Sequence, residues 1–250
     1  MVTAHIPAAA EGQEEPPRGD FDLAESVVLM RASALFTGLS VQECEDIASR
    51  AHIRMFARNE FLFEQGQPIR NAVLIQSGSV KLFQLGAKGR GVGVILWING
   101  SGEAICVPAE SSDCNHTCSA RAMEKCRALI WDYDSVQSLL VEYQQIRKNI
   151  SQILSSRLSE LEERFREVAT EKVAKRVTRT LMRLIKQVGK ISEVGIEVSL
   201  SREELAQMTG TTLFTVSRLL SKWKEAGFVE PRREAVVILD QRRLMEEADG

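Results

Sequence analysis

The sequence predicts an α+β chain: an N-terminal β-roll or jelly roll, a long dimerisation helix and a C-terminal winged helix-turn-helix. Three observations predict it. Short apolar runs punctuated by Gly, Asn, Pro and Ser fill the stretch from Ile53 to Asp132. An apolar seam then recurs at steps of three and four from Ile146 to Val168. Finally, two short helical segments flank Thr209-Gly210-Thr211, and a hairpin pattern follows them.

Composition sets the frame. The chain has 250 residues, 44% hydrophobic and 26% charged, with a net charge of −2, which suits one large or two ordinary globular domains. No run approaches 18 consecutive apolar residues, and the start lacks a basic region followed by an apolar core, so a cytoplasmic location and no membrane partner are expected. The small net charge hides an asymmetry. Residues 171–243 carry 15 basic and 9 acidic side chains, whereas residues 1–170 carry 17 and 22. A basic segment on an acidic body suggests that the C-terminal part meets a polyanion.

Taken in order, residues 1–20 read as a disordered tail and 21–133 as the sensor roll. A helical stretch over about 23–50 opens the roll, interrupted near Gly38, where Ser40 and Glu43 form a capping box. Strand runs follow at 72–75, 79–83, 93–97, 104–107 and 127–131, with turn signals such as Ser77-Gly78 and Asn99-Gly100-Ser101-Gly102 between them. Residues 134–170 are the dimerisation helix and hinge, read as one helix more than 30 residues long. Its seam is Ile146, Ile150, Leu154, Leu158, Leu161 and Phe165, closer to a coiled coil than to a surface helix. The domain at 171–243 begins with a helix that carries Lys172, Lys175, Arg176, Arg179, Arg183 and Lys186 opposite an apolar face. That helix ends at Gly189, a residue suited to the left-handed C′ position.

Residues 199–223 carry the functional signal. Ser201 with Glu204 makes a second capping box, Gly210 permits a positive φ, and Thr212 caps a helix. Val216, Leu219, Leu220 and Trp223 form the buried stripe of that helix. This is a helix-turn-helix, whose second helix enters the major groove of double-stranded DNA. Thr212, Leu213, Phe214, Ser217 and Arg218 then face the groove. Arg218 suits guanine or phosphate, Thr212 a phosphate at the helix start, and Leu213 and Phe214 thymine methyls. Arg232 and Arg233 at a hairpin tip suit backbone phosphates.

With these residues in place the chain resembles the Crp/Fnr family of bacterial transcription regulators over about 30–243. The stretches ALFTGLS at 34–40, EFLFEQGQP at 60–68, LIQSGSVKLF at 74–83 and SGE at 101–103 carry the likeness. Its most specific part is LSREELAQMTGTTLFTVSRLLSKWKEAGFV at 200–229. The resemblance implies a cyclic-nucleotide-binding-like roll, an effector-controlled homodimer on a pseudo-palindromic operator, and RNA polymerase as a partner. It also implies an effector pocket at Gly102, Glu103, His116 and Thr117. His116-Thr117 stands where cyclic-AMP-responsive members hold the phosphate with Arg-Ser. Losing that guanidinium argues against cyclic AMP. Charged residues that many members place in the recognition helix are replaced by Leu213 and Phe214.

Cys106, Cys114, Cys118 and Cys126 lie within 21 residues, with His116 among them. These ligand types suit zinc, an iron–sulfur cluster or haem. A reversible Cys114/Cys118 redox pair is a second reading. Buried structural cysteines are the favoured one, because free Cys is among the most buried residue types. No cysteine precedes Cys44, so the N-terminal cluster ligation of oxygen-sensing members is absent. An enzyme is not expected. A cupin-like metal site needs several histidines, and the roll offers His116 with His52 at its entrance. The alternative to a DNA-binding regulator is a ligand- or redox-sensing β-roll module that leaves DNA alone.

Overall fold

A computed structural model describes residues 22–85, 93–107 and 114–249. The tail expected over 1–20 lies outside them. Helix α1 (Leu23–Ala32), a single 3-10 turn (Ala34–Phe36) and α2 (Val41–Ser49) open the chain. They are separated by Gly38, whose φ of 86° belongs to glycine. The Ser40–Glu43 box forms as its residue types require, Glu43 N donating to Ser40 Oγ and Ser40 N to Glu43.

Eight strands follow: β1 (His52–Phe56), β2 (Phe61–Phe63), β3 (Asn71–Ser77), β4 (Val80–Gln84), β5 (Val94–Asn99), β6 (Ala104–Cys106), β7 (Ser119–Ala122) and β8 (Cys126–Asp132). They make two four-stranded sheets, ordered β1-β8-β3-β6 and β2-β7-β4-β5. The strand runs read from the sequence correspond to β3, β4, β5, β6 and β8. Period-2 alternation assigns each residue a layer. Val73, Ile75, Ala128 and Ile130 face the roll interior with Phe63 and Leu82. Leu74, Leu129 and Trp131, on the opposite face, pack under α1 and α2, where Trp131 Nε1 donates to Ile47 O at 2.8 Å.

The helix expected without a break over 134–170 is two helices, α3 (Tyr133–Glu142) and α4 (Gln144–Thr170), divided at Tyr143. Tyr143 leaves helical geometry (φ −113°, ψ 79°), and its hydroxyl is fastened to Asp46 on α2 at 2.7 Å. Arg147 Nε, donating to Leu140 O at 2.8 Å, occupies a carbonyl that the broken helix leaves open. At 1.5 Å per residue the 27-residue α4 is a rod of about 40 Å. Ile146 is buried and Ile150 half-buried against the α2 core, but beyond them the seam leaves the roll.

Helix α5 (Val173–Val188), β9 (Lys190–Ser192), β10 (Gly195–Val198), α6 (Arg202–Thr209), α7 (Leu213–Glu225), β11 (Val229–Pro231), β12 (Val236–Ile238) and α8 (Gln241–Asp249) complete the chain. Their sheet has the order β11-β12-β10-β9. Gly189 does not take the left-handed conformation expected of it, having φ −65°. A Cβ there would lie 2.4 Å from Ile185 O, the carbonyl of its own helix, and 2.8 Å from the Ile196 side chain, so the closing turn of α5 leaves no room for a side chain. Phe83, Ile95 and Ile98 on the outer face of the roll share one core with Val177, Leu181, Leu205 and Trp223 of the C-terminal part. A salt bridge from Lys81 Nζ on β4 to Glu204 on α6, at 2.6 Å, borders that contact.

Candidate nucleic-acid interface

The helix-turn-helix is assembled by its own short-range chemistry. Ser201 and Glu204 form the reciprocal box that starts α6. Gly210 ends it at φ 60°, ψ 44°, and both Gly210 N and Thr211 N donate to Ala206 O. Thr212 Oγ1 accepts from Thr215 N at 3.2 Å and starts α7. Val216, Leu220 and Trp223 are fully buried and Leu219 is half-buried, so the stripe read from the sequence is the packed face.

That packing turns the remaining residues outward. Phe214 is 84% exposed and Leu213 43% exposed, at the first turn of α7. Thr212 and Arg218 are exposed as well, and Ser217 is half-buried. At the wing, Arg232 N donates to Ala235 O at 2.8 Å, closing the hairpin between β11 and β12. Arg232 and Arg233 are both exposed at that tip. The Arg232 guanidinium is ion-paired with Glu197 on β10, and Glu234 with Arg58 of the roll.

The basic face of α5 is not the free polyanion surface that its sequence suggested. Arg183 holds Glu167 through two nitrogens at 2.8 and 2.9 Å. Arg179 reaches Glu163 at 3.2 Å. Arg176 is buried, with its Nε donating to Thr209 O at 3.1 Å and its Nη1 to Glu171 O at 2.9 Å. Sequence reasoning missed this clamp on the turn. For the pairs of Arg179 and Arg183, the signal that could have found them is the spacing of Glu163 and Glu167, four apart on one face of α4, with Glu171 just past its end.

The four effector-pocket residues have different partners. Glu103 accepts from Gly100 N at 2.7 Å and so closes the β5–β6 turn. Burial, acting against that bond, raises its pKa. With Gly102 it borders a cleft of about 660 Å³ shared with Trp97, Ser156 and Arg157. His116 stacks on Phe63 instead, with ring centroids 3.7 Å apart and planes 9° from parallel, and burial lowers its pKa. Thr117 is exposed, and its carbonyl accepts from Gln84 Nε2. At the phosphate position, a stacked imidazole whose charged form burial disfavours makes a poor anchor for a cyclic phosphate.

The cysteine cluster also divides. Cys106 Sγ lies 4.0 Å from His116 Nδ1, and Cys106 and Cys118 pack against the roll core. Burial, with Cys118 nearby, pushes the Cys106 thiol up to about 12. Cys126 is elsewhere, donating to Ser79 O at 3.2 Å beneath Gly78. A Cβ on Gly78 would come within 2.7 Å of that sulfur. Cys114 holds the 66–69 turn, where its carbonyl accepts from Ile69 N. Among the described residues no three His, Cys, Asp or Glu side chains are placed to hold a metal ion.

Comparison with known proteins bears on most of the chain. A cyclic nucleotide-binding domain model matches residues 53–143, and a Crp-like helix-turn-helix domain model matches residues 175–247. The chain belongs to the Crp/Fnr family of transcriptional regulators. It is 27% identical over 223 residues to the cyclic AMP receptor protein of Thermus thermophilus, covering 88% of this chain and 99% of that one. It is 25% identical to a CRP-like cAMP-activated global transcriptional regulator of Mycobacterium tuberculosis, with 88% and 98% covered. Among solved structures, the c-di-GMP responsive global regulator CLP of Xanthomonas campestris is similar at TM-score 0.67 and 25% identity, covering 80% of this chain and 100% of that one. FixK2 of Bradyrhizobium japonicum shares the fold, also at TM-score 0.67, with 18% identity and 78% and 96% covered. As a Crp/Fnr regulator the chain acts in DNA-binding transcription regulation, and the family is one of regulators, not enzymes. Among the described residues no helix is long and apolar enough to cross a membrane.

Proposed function

We propose that this regulator works in the cytoplasm as an effector-controlled homodimer on a pseudo-palindromic operator, with RNA polymerase as its family-typical partner. Each protomer presents Thr212, Leu213, Phe214, Ser217 and Arg218 to one half-site, and Arg232 and Arg233 to flanking phosphates. The observation that carries the reading is the apolar ridge on α4. Leu154, Leu158 and Phe165 are 61%, 59% and 77% exposed, with Leu161 between them, at coiled-coil spacing. A contiguous ridge of this kind calls for a partner surface, and a second α4 supplies one of the same character. The ridge continues the part of the helix that packs on the roll, so a signal received there has a rigid route to the DNA-binding part.

The signal is read as something other than a cyclic nucleotide, since Glu103 and His116 are engaged elsewhere and no arginine stands at the phosphate position. Dimerisation is tested by sedimentation velocity together with DNA binding. The wild-type chain should sediment as a dimer and retard duplex DNA. Leu158→Glu should sediment as a folded monomer that binds the same duplex far more weakly. A monomeric wild type with unchanged affinity would overturn the reading.

A further inference from the structure

The recognition helix opens on an aromatic ring that nothing among the described residues covers. Phe214 is the most exposed large apolar side chain of the helix-turn-helix, and Leu213 stands beside it. The first turn of α7 carries no carboxylate, and its neighbours Thr211, Thr212 and Thr215 each add a methyl group. In the major groove the base edges present nitrogens, oxygens and one apolar group, the C5-methyl of thymine. Cytosine presents instead an amino donor that needs an acceptor such as Glu or Asp, and adenine is met by Asn or Gln. The exposed part of this turn offers none of those side chains. We infer that Phe214, flanked by Leu213, selects duplexes by the C5-methyl group of a pyrimidine, so that 5-methylcytosine can take the place of thymine at that position.

Helix geometry extends the inference to a half-site rule. Arg218 lies four residues beyond Phe214 on the same face, displaced by about 6 Å along the axis. Its guanidinium matches the two acceptors of guanine. With about 3.4 Å between stacked bases, the methyl-bearing pyrimidine and the guanine lie within about two base pairs of each other. The inference rests on the DNA-reading role of α7 proposed above and adds the chemical group that is read.

The test uses the full-length protein and a random duplex pool, enriched by binding at fixed salt. The enriched duplex is resynthesised with each thymine in turn replaced by uracil, which removes the methyl and nothing else. One or two positions per half-site should lose about fourfold in affinity, the worth of one buried methyl-sized group. Cytosine at a sensitive position should bind worse still, and 5-methylcytosine should recover part of the loss. Phe214→Ala removes a side chain with no packing role, so its melting curve should match wild type while its thymine–uracil discrimination disappears. Uracil duplexes that bind like thymine duplexes at every position overturn methyl readout. The same result with a large Phe214→Ala loss points to a ring wedged between base steps, which also overturns it. If no duplex is enriched and binding is insensitive to salt, the DNA-reading role itself fails, and the inference with it.

Discussion

The guanidinium of Arg176 donates from Nε to Thr209 O at 3.1 Å and from Nη1 to Glu171 O at 2.9 Å. One buried side chain thus joins the end of α4 to the turn of the helix-turn-helix, with Nη2 reaching Gly210 O at 3.4 Å. Carbonyls at a helix C-terminus lack intrahelical partners, and a cation there also meets the negative end of the helix dipole. Arg176→Ala should therefore lower unfolding free energy by about 1.5–3 kcal/mol, the range for hydrogen bonds to a charged group. Arg176→Lys should restore little, because an ammonium cannot span three acceptors held by a planar fork. Urea unfolding of the three proteins checks this, and full rescue by lysine would show that charge alone matters.

Glu167 supplies a pH dependence. Burial works to raise its pKa, but the paired hydrogen bonds from Arg183 and the charges of Arg183 and Arg179 outweigh it and hold the carboxyl below its ordinary value of 4.5. A group whose folded pKa is depressed stabilises the protein above its unfolded pKa and loses that contribution as pH falls through the folded one. Glu167→Gln should thus lower Tm by a constant amount from pH 7 to about 5, and the gap to wild type should shrink below that. Thermal melts across pH 3–7 measure the gap. A gap that grows toward low pH would mean that the carboxylate is a burden rather than a brace.

Cys106 should be chemically quiet. With its thiol pushed up to about 12 it stays protonated at pH 8, and the thiolate is the reactive form. Iodoacetamide labelling of the folded protein, followed by peptide mass spectrometry, should leave Cys44, Cys106 and Cys126 unmodified after half-exposed Cys114 has reacted. All five should label in guanidinium. Rapid alkylation of native Cys106 would show the roll opening in solution, and would return the thiols to consideration as sensors.

Cyclic AMP should leave the protein indifferent. Neither the Tm nor the affinity for the enriched duplex should move at millimolar nucleotide, because a ligand shifts stability only by binding the folded state. A dose-dependent rise in Tm would show that the roll recruits a phosphate anchor other than His116.

The elements legible in the sequence are those whose cause is local. Both capping boxes, the Gly210 turn and the Val216–Trp223 stripe are written in residues at most a few turns apart. The short runs of β3 and β8 announce themselves by β-branched and aromatic content. By contrast β7, Ser119–Ala122, is built of small residues and an arginine, and it is a strand because β2 and β4 flank it. The break at Tyr143 depends on Asp46, 97 residues away. The residues expected to line an effector pocket part for the same reason. Glu103 and His116 are close in sequence, yet one turns toward the long helix and the other stacks inside the roll.

The two arginine classes of the interface should separate in binding experiments. Arg218 is placed to meet a base edge, so Arg218→Ala should cost about 1–3 kcal/mol against the enriched duplex and far less against random duplex. Arg233, exposed at the wing tip, is placed for phosphate. Arg233→Ala should weaken both duplexes alike and reduce the salt slope by about one. Arg232 is a third case, since its ion pair with Glu197 competes with phosphate. Glu197→Gln should release it and tighten binding to any duplex, most visibly at low salt, where the gained contact is least screened. Fluorescence anisotropy titrations at several salt concentrations measure all three variants. If Arg218→Ala and Arg233→Ala shift specific and random binding by equal factors, α7 does not read bases and its contacts are to the backbone alone.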